Sequence, residues 1–235
     1  PWTGVPEELR ELQGMDYALT ANGARIIETR TGKVLEEHLL SKEAAKKAIA
    51  IGRKYDTLLE VYFDGQGYAQ KDEIAQVRKY HKNPNMWDYF LRTRIAVDRL
   101  EDLLDEKEGN LDKVQMLFAD MEEREEAWKE LEREGVFELV GSLQYNIEIN
   151  AVGVNKGTGL VNLGKMLGIR REEIMACGDG DNDIAMLKEV GFGVAMANAE
   201  EKVKAVADYI TERNNDEGAA KAIEKFVLKR GGEPC

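Results

Sequence analysis

The sequence predicts an α/β protein in which a parallel sheet, with helices on both faces, is interrupted along the chain by an α+β module. Three observations indicate this fold class. Helix-like and strand-like segments alternate strictly through the C-terminal third of the 235-residue chain. The middle of the chain has paired strands with intervening helices instead. A loop dense in glycine and aspartate, residues 177–183, directly follows a predicted strand, and α/β sheets bind ligands at such loops.

The first 35 residues are predicted to form another piece of the sheet. A helix is expected at about residues 5–13, and two strands at 17–20 and 25–27 flank the turn Asn22-Gly23. Asn and Gly tolerate the left-handed backbone that tight turns require. We therefore assign residues 1–35 and 150–235 to one sheet domain, split in sequence, and residues 36–149 to the inserted module.

The inserted module combines helices with paired strands. Ser41 is a predicted N-cap for a helix over residues 42–54. The turn at residues 64–67 predicts a hairpin, and Asp120 begins a helix with Glu123 as its capping-box partner. The other segments predicted here are strands at 59–63, 68–70, 114–119, 137–140 and 144–149, and a charged, mostly helical stretch over 72–108.

The C-terminal third supplies most of the predicted parallel sheet. Leu160, Leu163 and Leu167 form a helical stripe that ends at Gly168, a residue typical of helix C-termini. The segments that follow are a strand at 174–177, a helix at about 183–190, a strand at 193–196, a helix around 203–207, a strand at 209–210 and a helix around 219–226.

Composition excludes several functional classes. The formal net charge of −12 argues against a nucleic-acid partner, because phosphate-backbone binding needs a basic face. The negative net charge is still compatible with binding of a small phosphorylated metabolite, provided that the binding pocket is locally cationic. No apolar run has the roughly 18 residues of a membrane span, and no signal-peptide pattern opens the chain. We expect a cytoplasmic protein without membrane partners.

Cysteine and histidine usage indicates an oxygen-liganded site. Cys177 and Cys235 do not make a disulfide framework, and His38 and His81 do not make a zinc site. A hard cation held by oxygen ligands is therefore the favoured metal. Cys177 itself is expected to be a small buried apolar residue.

The acidic loop carries Asp179, Asp181 and Asp183 in alternation. Carboxylates this close repel one another, so a divalent cation, a lysine or several backbone donors must offset the repulsion. Two alternatives are a simple polar turn and a calcium loop of the EF-hand type. The calcium loop fits poorly, because its sixth position would be Ile184 instead of Gly and its twelfth Val190 instead of Glu.

Lys156 is the second charged landmark. It precedes a predicted helix that begins near Gly157, and the positive end of a helix is an unfavourable place for a lysine unless an anion lies there too. That anion would be a phosphate or the acidic loop. The alternative is a solvated surface lysine, which the proximity of the acidic loop, one βα unit later, makes less favourable.

Four motifs together resemble those of a known family. They are Thr20-Ala21-Asn22-Gly23-Ala24, Gly153-Val154-Asn155-Lys156-Gly157, the run Gly178-Asp179-Gly180-Asp181-Asn182-Asp183-Ile184-Ala185-Met186-Leu187, and Gly193-Val194-Ala195-Met196-Ala197-Asn198-Ala199. With the split-domain layout, they resemble the Cof-type (subclass IIB) phosphatases of the haloacid dehalogenase superfamily. The resemblance covers essentially the whole chain and is tightest over residues 147–228. It implies a Rossmann-like core, a large α/β cap, and magnesium-dependent hydrolysis of phosphate monoesters.

The resemblance also implies roles for four residues. Asp179 would match the family's metal-ligand acid, and Asp183 would support the metal through water or hold Lys156. Lys156 would neutralise the phosphoryl oxygens and the nucleophile, and Asn182 would donate to phosphate. In the family's scheme an aspartate on the first core strand attacks phosphorus to give an aspartyl-phosphate. A second aspartate, two residues on, protonates the leaving group and then activates water.

One departure from the family pattern concerns that nucleophile. The motif Asp-x-Asp-Gly-Thr is absent, and the Asp-x-Asp pairs present lie inside residues 179–183. We expect the nucleophile and its strand to lie upstream of Pro1, which would leave this chain a fragment of a full phosphatase with little activity of its own. The alternative is an inactive phosphate-binding or regulatory protein. Without that strand, we expect the chain to be oligomeric or poorly soluble, or to take the strand from a partner.

The inserted module is expected to select the substrate. Trp87, Tyr89, Phe90, Arg92 and Arg94 stand out there, although core aromatics with surface arginines are the more common explanation of such a set. By resemblance, sugar phosphates are the commonest substrates and phosphorylated cofactors come next.

Overall fold

The molecule divides along the chain into two units, residues 1–154 and 155–235. The structure is a computed structural model that describes residue 5 and residues 7–228. Its mixture of parallel strands and helices confirms the α/β class. The assignment of residues 1–35 and 150–235 to one domain, with 36–149 inserted, remains a prediction. Cys235 lies outside the described residues, and within them no helix is long and apolar enough to cross a membrane.

The first unit opens with a short helix and a small sheet. Helix α1 is Glu7–Arg10, shorter than predicted, and β1 (Tyr17–Thr20), β2 (Arg25–Glu28) and β3 (Val34–Glu37) pair antiparallel in that order. The expectation that these strands extend the parallel sheet is wrong for the described residues. The turn between β1 and β2, where Asn22 adopts φ +60° and reverses the chain, makes these strands antiparallel, and β2 takes β3 as its second partner instead of a strand of the parallel sheet.

A six-stranded sheet forms the body of the first unit, in the order β6-β5-β4-β7-β9-β8. Strand β6 lies within the stretch predicted to be mostly helical, and it pairs parallel to β5. The strands are β4 (Thr57–Phe63), β5 (Gln66–Gln70), β6 (Arg94–Val97), β7 (Lys113–Phe118), β8 (Glu138–Val140) and β9 (Asn146–Asn150). The helices are α2 (Lys42–Gly52), α3 (Lys71–Ala75), α4 (Val77–Tyr80), α5 (Trp87–Thr93), α6 (Leu100–Glu106) and α7 (Met121–Glu134).

The two faces of this sheet differ in polarity. On one face, apolar residues of β4, β7 and β9 pack against α2, α6 and α7 in the largest buried cluster. On the opposite face, the alternate positions of the same strands carry buried polar side chains, including Glu60, Lys113, Gln115 and Glu148. A smaller apolar cluster around Phe90 covers the rest of that face. The alternation follows from the two-residue period of a β-strand.

Two predicted caps in this unit are tested by side-chain contacts. Ser41 accepts a hydrogen bond from the Ala44 N–H, and Asp120 accepts from the N–H groups of Glu122 and Glu123, as N-caps do. Glu123 is not a capping-box partner, however. Its carboxylate accepts from the Asp56 N–H at 2.9 Å, because β4 begins next to this helix and offers a backbone donor.

The second unit contains a three-stranded parallel sheet in the order β10-β11-β12. The strands are β10 (Met175–Gly178), β11 (Phe192–Ala195) and β12 (Tyr209–Ile210). The helices are α8 (Lys156–Leu167), α9 (Ile184–Glu189), α10 (Glu201–Lys204) and α11 (Gly218–Phe226). Helix α8 ends at Gly168, which has φ +69°, as the sequence predicts. Because the strands are parallel, the loops that follow β10, β11 and β12 all lie at the carboxyl end of the sheet.

Candidate active site

The acidic loop joins β10 to α9 at the carboxyl end of the sheet. Strand β10 ends at Gly178, Asp181–Asp183 form one 3-10 turn, and α9 begins at Ile184. The loop is therefore a strand-to-helix connection, as predicted. Because Ile184 and the five residues after it are helical, this segment cannot wrap an ion as a twelve-residue calcium loop does.

Asp183 organises the backbone of this loop. Its Oδ2 accepts hydrogen bonds from the N–H groups of Asp179 and Gly180, each at 2.9 Å. The side chain of Asp183 is 8% exposed. A Cβ on Gly178 would lie 2.5 Å from the Cβ of Asp183, so the glycine is needed for close approach. Gly178 does not have a positive φ, so the close approach of Asp183, and not backbone freedom, accounts for a glycine at this position.

Lys156 lies against the same carboxylate. Asn155 caps α8 by accepting from the N–H groups of Gly157 and Thr158, which places Lys156 at the first helical position. The Lys156 Nζ is 2.5 Å from Asp183 Oδ1. A Cβ on Gly157 would lie 2.7 Å from the Ala185 carbonyl oxygen, so α8 approaches α9 very closely here. The structure therefore brings Lys156 and the acidic loop together.

The other two aspartates have partners after β11. Asn198 Nδ2 donates to Asp179 Oδ2 at 2.9 Å, and Lys202 Nζ lies 2.5 Å from Asp181 Oδ2. The hydrogen bond to Asp181 raises the pKa of the Lys202 ammonium above its ordinary value. Neither Asn198 nor Lys202 was predicted as a site residue. A usable signal existed for Asn198, because it follows the strand next to β10 and belongs to one of the four motifs.

The crowding of the three carboxylates is thus relieved by different groups for each acid. Asp183 takes a lysine and two backbone donors, Asp181 takes a lysine, and Asp179 takes a neutral amide. Within the described ranges, no three His, Cys, Asp or Glu side chains converge on one point. The repulsion that suggested a cation is therefore offset in large part by the chain's own donors.

Asp179 is the residue of this loop that fits a magnesium ligand. It is exposed, and its Oδ1 accepts no hydrogen bond from any described residue. Mg²⁺ keeps several waters and takes one or two carboxylate oxygens, so a single free oxygen of this kind fits it. Both oxygens of Asp183 are already engaged, which favours the role of holding Lys156 over direct ligation.

Asn182 is half-exposed beside these groups, and its amide makes no hydrogen bond within the described part of the chain. The amide is therefore available to a ligand. Cys177 is half-buried at the end of β10, where burial raises the pKa of its thiol and disfavours a reactive thiolate.

One edge of β10 is open among the residues that the structure describes, because β10 pairs there with β11 alone. Two cavities meet beside residues 173–175, at the start of this strand. One, of about 400 Å³, reaches Phe192 and Phe226, and the other, of about 230 Å³, reaches Leu160 and Leu163 of α8. Both cavities are largely apolar, so unfilled apolar space flanks the start of β10.

The residues singled out in the inserted module, all in the first unit, are engaged locally. Phe90 is 1% exposed in an apolar cluster, and the Trp87 indole donates to the His81 carbonyl oxygen. The Arg94 guanidinium donates to Glu60 and Tyr62, while Arg92 bonds a carbonyl of its own helix. Core packing accounts for Phe90, and Arg94 belongs to a buried polar network.

Comparisons with known proteins agree with these motifs. A family model described as haloacid dehalogenase-like hydrolase matches residues 1–223. The 5-amino-6-(5-phospho-D-ribitylamino)uracil phosphatase YcsE of Bacillus subtilis is 49% identical over 105 residues, which are 45% of this chain and 42% of that relative. The chain therefore spans about two fifths of that relative's length.

Two solved structures extend the similarity to most of the chain. A haloacid dehalogenase-like hydrolase from B. subtilis has a TM-score of 0.79 at 25% identity, covering 90% of this chain and 79% of that one. The subclass IIB sugar phosphatase BT4131 has a TM-score of 0.72 at 25% identity, covering 94% of this chain and 81% of that one. The similarity thus includes both units.

Proposed function

The chain belongs to the haloacid dehalogenase-like hydrolase family, and we propose that it forms part of a Mg²⁺-dependent phosphatase acting on small phosphate monoesters such as sugar phosphates. The observation that carries the proposal is the contact of Lys156 with Asp183 beside the exposed carboxylate of Asp179. A lysine ammonium, an exposed carboxylate with one unbonded oxygen, and an amide that makes no hydrogen bond to a described residue lie at one strand end, and this combination suits a phosphoryl group. The names of the similar phosphatases support the substrate class.

Each residue has a role in this proposal. Asp179 Oδ1 would hold Mg²⁺, which supplies positive charge to the phosphoryl oxygens. Lys156 adds a second positive charge, and Asn182 donates a hydrogen bond to phosphate. Asp183 keeps the Lys156 ammonium in place and fixes the loop through its backbone donors. Little beyond alignment and positive charge is needed, because phosphoryl transfer develops charge on the equatorial oxygens.

The nucleophile is proposed to come from a strand upstream of Pro1. The open edge of β10 supports this, since an added parallel strand would pair with β10, and the apolar cavities at the start of β10 leave room for further apolar side chains. The carboxyl end of such a strand would meet the loop that carries Asp179. An aspartate there would attack phosphorus to form an aspartyl-phosphate, with the alcohol as leaving group.

The test compares the chain with and without its natural upstream sequence, with p-nitrophenyl phosphate and Mg²⁺. We expect turnover by the extended protein and near-background hydrolysis by the chain alone. In the extended protein, Asp179→Ala and Lys156→Ala should each lower kcat/KM by about 100-fold or more. The matched control is Asp216→Ala, an exposed loop aspartate of the same unit, which should have no effect. Turnover by the chain alone that Asp179→Ala abolishes would contradict an upstream nucleophile.

A second candidate function is an inactive phosphate-binding or regulatory protein. It is favoured by the sequence, because the Asp-x-Asp pairs lie within residues 179–183, where each aspartate already has a partner. Sequencing the gene upstream of Pro1 separates the two candidates. An in-frame Asp-x-Asp-Gly-Thr supports the phosphatase, whereas its absence, together with binding of inorganic phosphate that Lys156→Ala removes, supports binding alone.

The substrate is to be identified by testing a panel of phosphorylated metabolites with the extended protein. Sugar phosphates are expected to be the best substrates and phosphorylated cofactors the next. The cytoplasmic location and the absence of nucleic-acid and membrane partners stay predictions from the sequence.

A further inference from the structure

Asn198 connects the loops that follow β10, β11 and β12, at the carboxyl end of the parallel sheet in the second unit. It follows β11, its Nδ2 donates to Asp179 Oδ2 after β10, and its Oδ1 accepts the Asn214 N–H after β12, both at 2.9 Å. Only the amide oxygen can accept from a backbone N–H, so the second contact fixes which way the amide faces. The NH₂ group is therefore directed to Asp179.

The backbone that carries Asn198 is held on both sides. The Met196 N–H donates to the Gly178 carbonyl oxygen at 3.0 Å, and the Ala197 N–H donates to the Glu212 carbonyl oxygen at 3.2 Å. These bonds extend the β10-β11-β12 pairing past the strand ends. The Asn198 amide therefore projects from a rigid support, as a group that orients another side chain must.

The chemistry of the partner distinguishes Asp179 from its neighbours. Lys156 and Lys202 neutralise Asp183 and Asp181 respectively, whereas the amide on Asp179 carries no charge. A neutral donor restrains a carboxylate without cancelling its negative charge. It also uses one lone pair of Oδ2, whereas Oδ1 accepts from no described residue and is the more open oxygen for a ligand.

We propose that Asn198 is a positioning residue that orients the Asp179 carboxylate so that its Oδ1 is presented to a divalent cation. The inference rests on the proposed function, because the cation would be the Mg²⁺ of the phosphatase. Asn198 itself does not contact the cation. The Asn198 amide reduces the number of orientations that the Asp179 carboxylate samples, so less side-chain entropy is lost when the cation binds.

The test uses the chain with its natural upstream segment restored, because the 235-residue chain alone is expected to be oligomeric or poorly soluble, and Mn²⁺ alone is the probe. Mn²⁺ broadens the NMR resonances of nearby amides, and the Gly180 N–H next to Asp179 reports this site among the many acids of a chain with net charge −12. Because a hydrogen bond contributes about 1 kcal/mol, Asn198→Ala should raise the apparent Kd at Gly180 roughly fivefold. The matched control, Asn215→Ala in the exposed loop after β12, should leave it unchanged.

A purely structural role would give a different result. Asn198→Ala should keep the Tm of the parent within a few degrees, so that a weaker Mn²⁺ affinity is not explained by loss of folding. Without metal, the Asn198 side-chain amide resonances of the Asp179→Ala variant should be shifted from those of the parent. An unshifted amide would overturn the inference.

The outcomes with Mn²⁺ separate this inference from the proposed function. An Asn198→Ala variant that binds Mn²⁺ as tightly as the parent, or more tightly, overturns the positioning role alone. Tighter binding would mean that the amide competes with the cation for the carboxylate. If Asp179→Ala leaves the broadening at Gly180 unchanged, Asp179 is not the cation ligand, and both the metal role in the proposed function and this inference fail.

Discussion

Lys156 shows how a residue that is unfavourable in its local setting becomes favourable in the fold. It occupies the first position of α8, where the helix dipole is already positive. Asp183, 27 residues later in sequence, provides the compensating charge. The need for an anion could be predicted from the helix start and the adjacent glycine, and the structure identifies a carboxylate of the acidic loop as one such anion.

The partners of Asp179 and Asp181 were much harder to predict. Asn198 and Lys202 are polar residues in a loop and a short helix, where such residues are common, and their spacing from the acidic loop depends on how β11 pairs with β10. A sequence pattern reports periodicity within an element, but contacts between loops follow from strand register. The candidate site was therefore predictable on the acidic loop and on α8, whereas after β11 the motif marked Asn198 without showing that it contacts Asp179, and nothing marked Lys202.

Replacing Asp183 by Asn should loosen the acidic loop. The amide has one acceptor oxygen, so it cannot serve both Lys156 and the N–H groups of Asp179 and Gly180, and a lost partner in this buried place costs about 1–3 kcal/mol. We expect amide hydrogen exchange in residues 178–183 to become about tenfold faster or more, measured by mass spectrometry. Asp216→Asn is the control. Unchanged exchange in the Asp183 variant would show that the loop does not depend on this carboxylate.

At the scale of elements, strand β6 and helix α7 illustrate what a pattern can predict. Helix α7 has a cap at Asp120 and a C-terminal glycine, Gly135, with φ +63°, so both of its ends carry local signals. Strand β6 has four residues, Arg94–Val97, between two charged helices, and its formation depends on pairing with β5. Long elements with their own caps are predictable, whereas a short strand at the edge of a sheet depends on its partner.

The polar face of the six-stranded sheet contains a buried ion pair. Glu148 on β9 lies 2.7 Å from Lys113 on β7, and it also accepts from Ser142 and Asn22. Burial alone would raise the pKa of Glu148, but the charge of Lys113 and these hydrogen bonds lower it from 4.5 to about 2. Because the folded-state pKa is depressed, the stability from this group is present above about pH 4.5 and is lost as the pH falls towards 2.

Glu148→Gln should therefore destabilise the first unit in a pH-dependent way. At pH 7 we expect a loss of about 3 kcal/mol, and the difference from the parent should shrink between pH 4.5 and about 2, where the parent carboxylate also becomes protonated. Urea unfolding followed by tryptophan fluorescence measures this, since all three tryptophans precede residue 155. Glu132→Gln, at an exposed position of α7, is the control. A difference that does not change with pH would contradict the depressed pKa.

At the scale of the whole molecule, the α/β class was predictable because alternation of helices and strands is visible along the chain. The separation of β1–β3 into their own antiparallel sheet was not, because a strand's sequence does not specify which neighbour it pairs with. The turn at Asn22-Gly23 was recognised as a turn, but its consequence for sheet membership became clear only from the pairing.

The open edge of β10 leads to a prediction about association. Unpaired backbone groups beside apolar cavities favour pairing with another chain. We expect the 235-residue chain to be oligomeric or poorly soluble in light scattering, and restoring the natural upstream segment should give a smaller and more soluble species. A monodisperse monomer that melts cooperatively without that segment would contradict the prediction.

The contrast between the two faces of the six-stranded sheet also affects how the first unit can misfold. A shift of one residue in the register of β7 against β4 or β9 would exchange the two faces of β7. Lys113 and Gln115 would then point into the apolar cluster, and Val114 and Met116 would point to the polar face. Such mispairing would bury the Lys113 ammonium group among apolar side chains and away from its partner Glu148, at a cost of several kcal/mol. The charged residues of these strands thus act as a safeguard against mispairing, and the correct alignment is selected by exclusion of its nearest competitors.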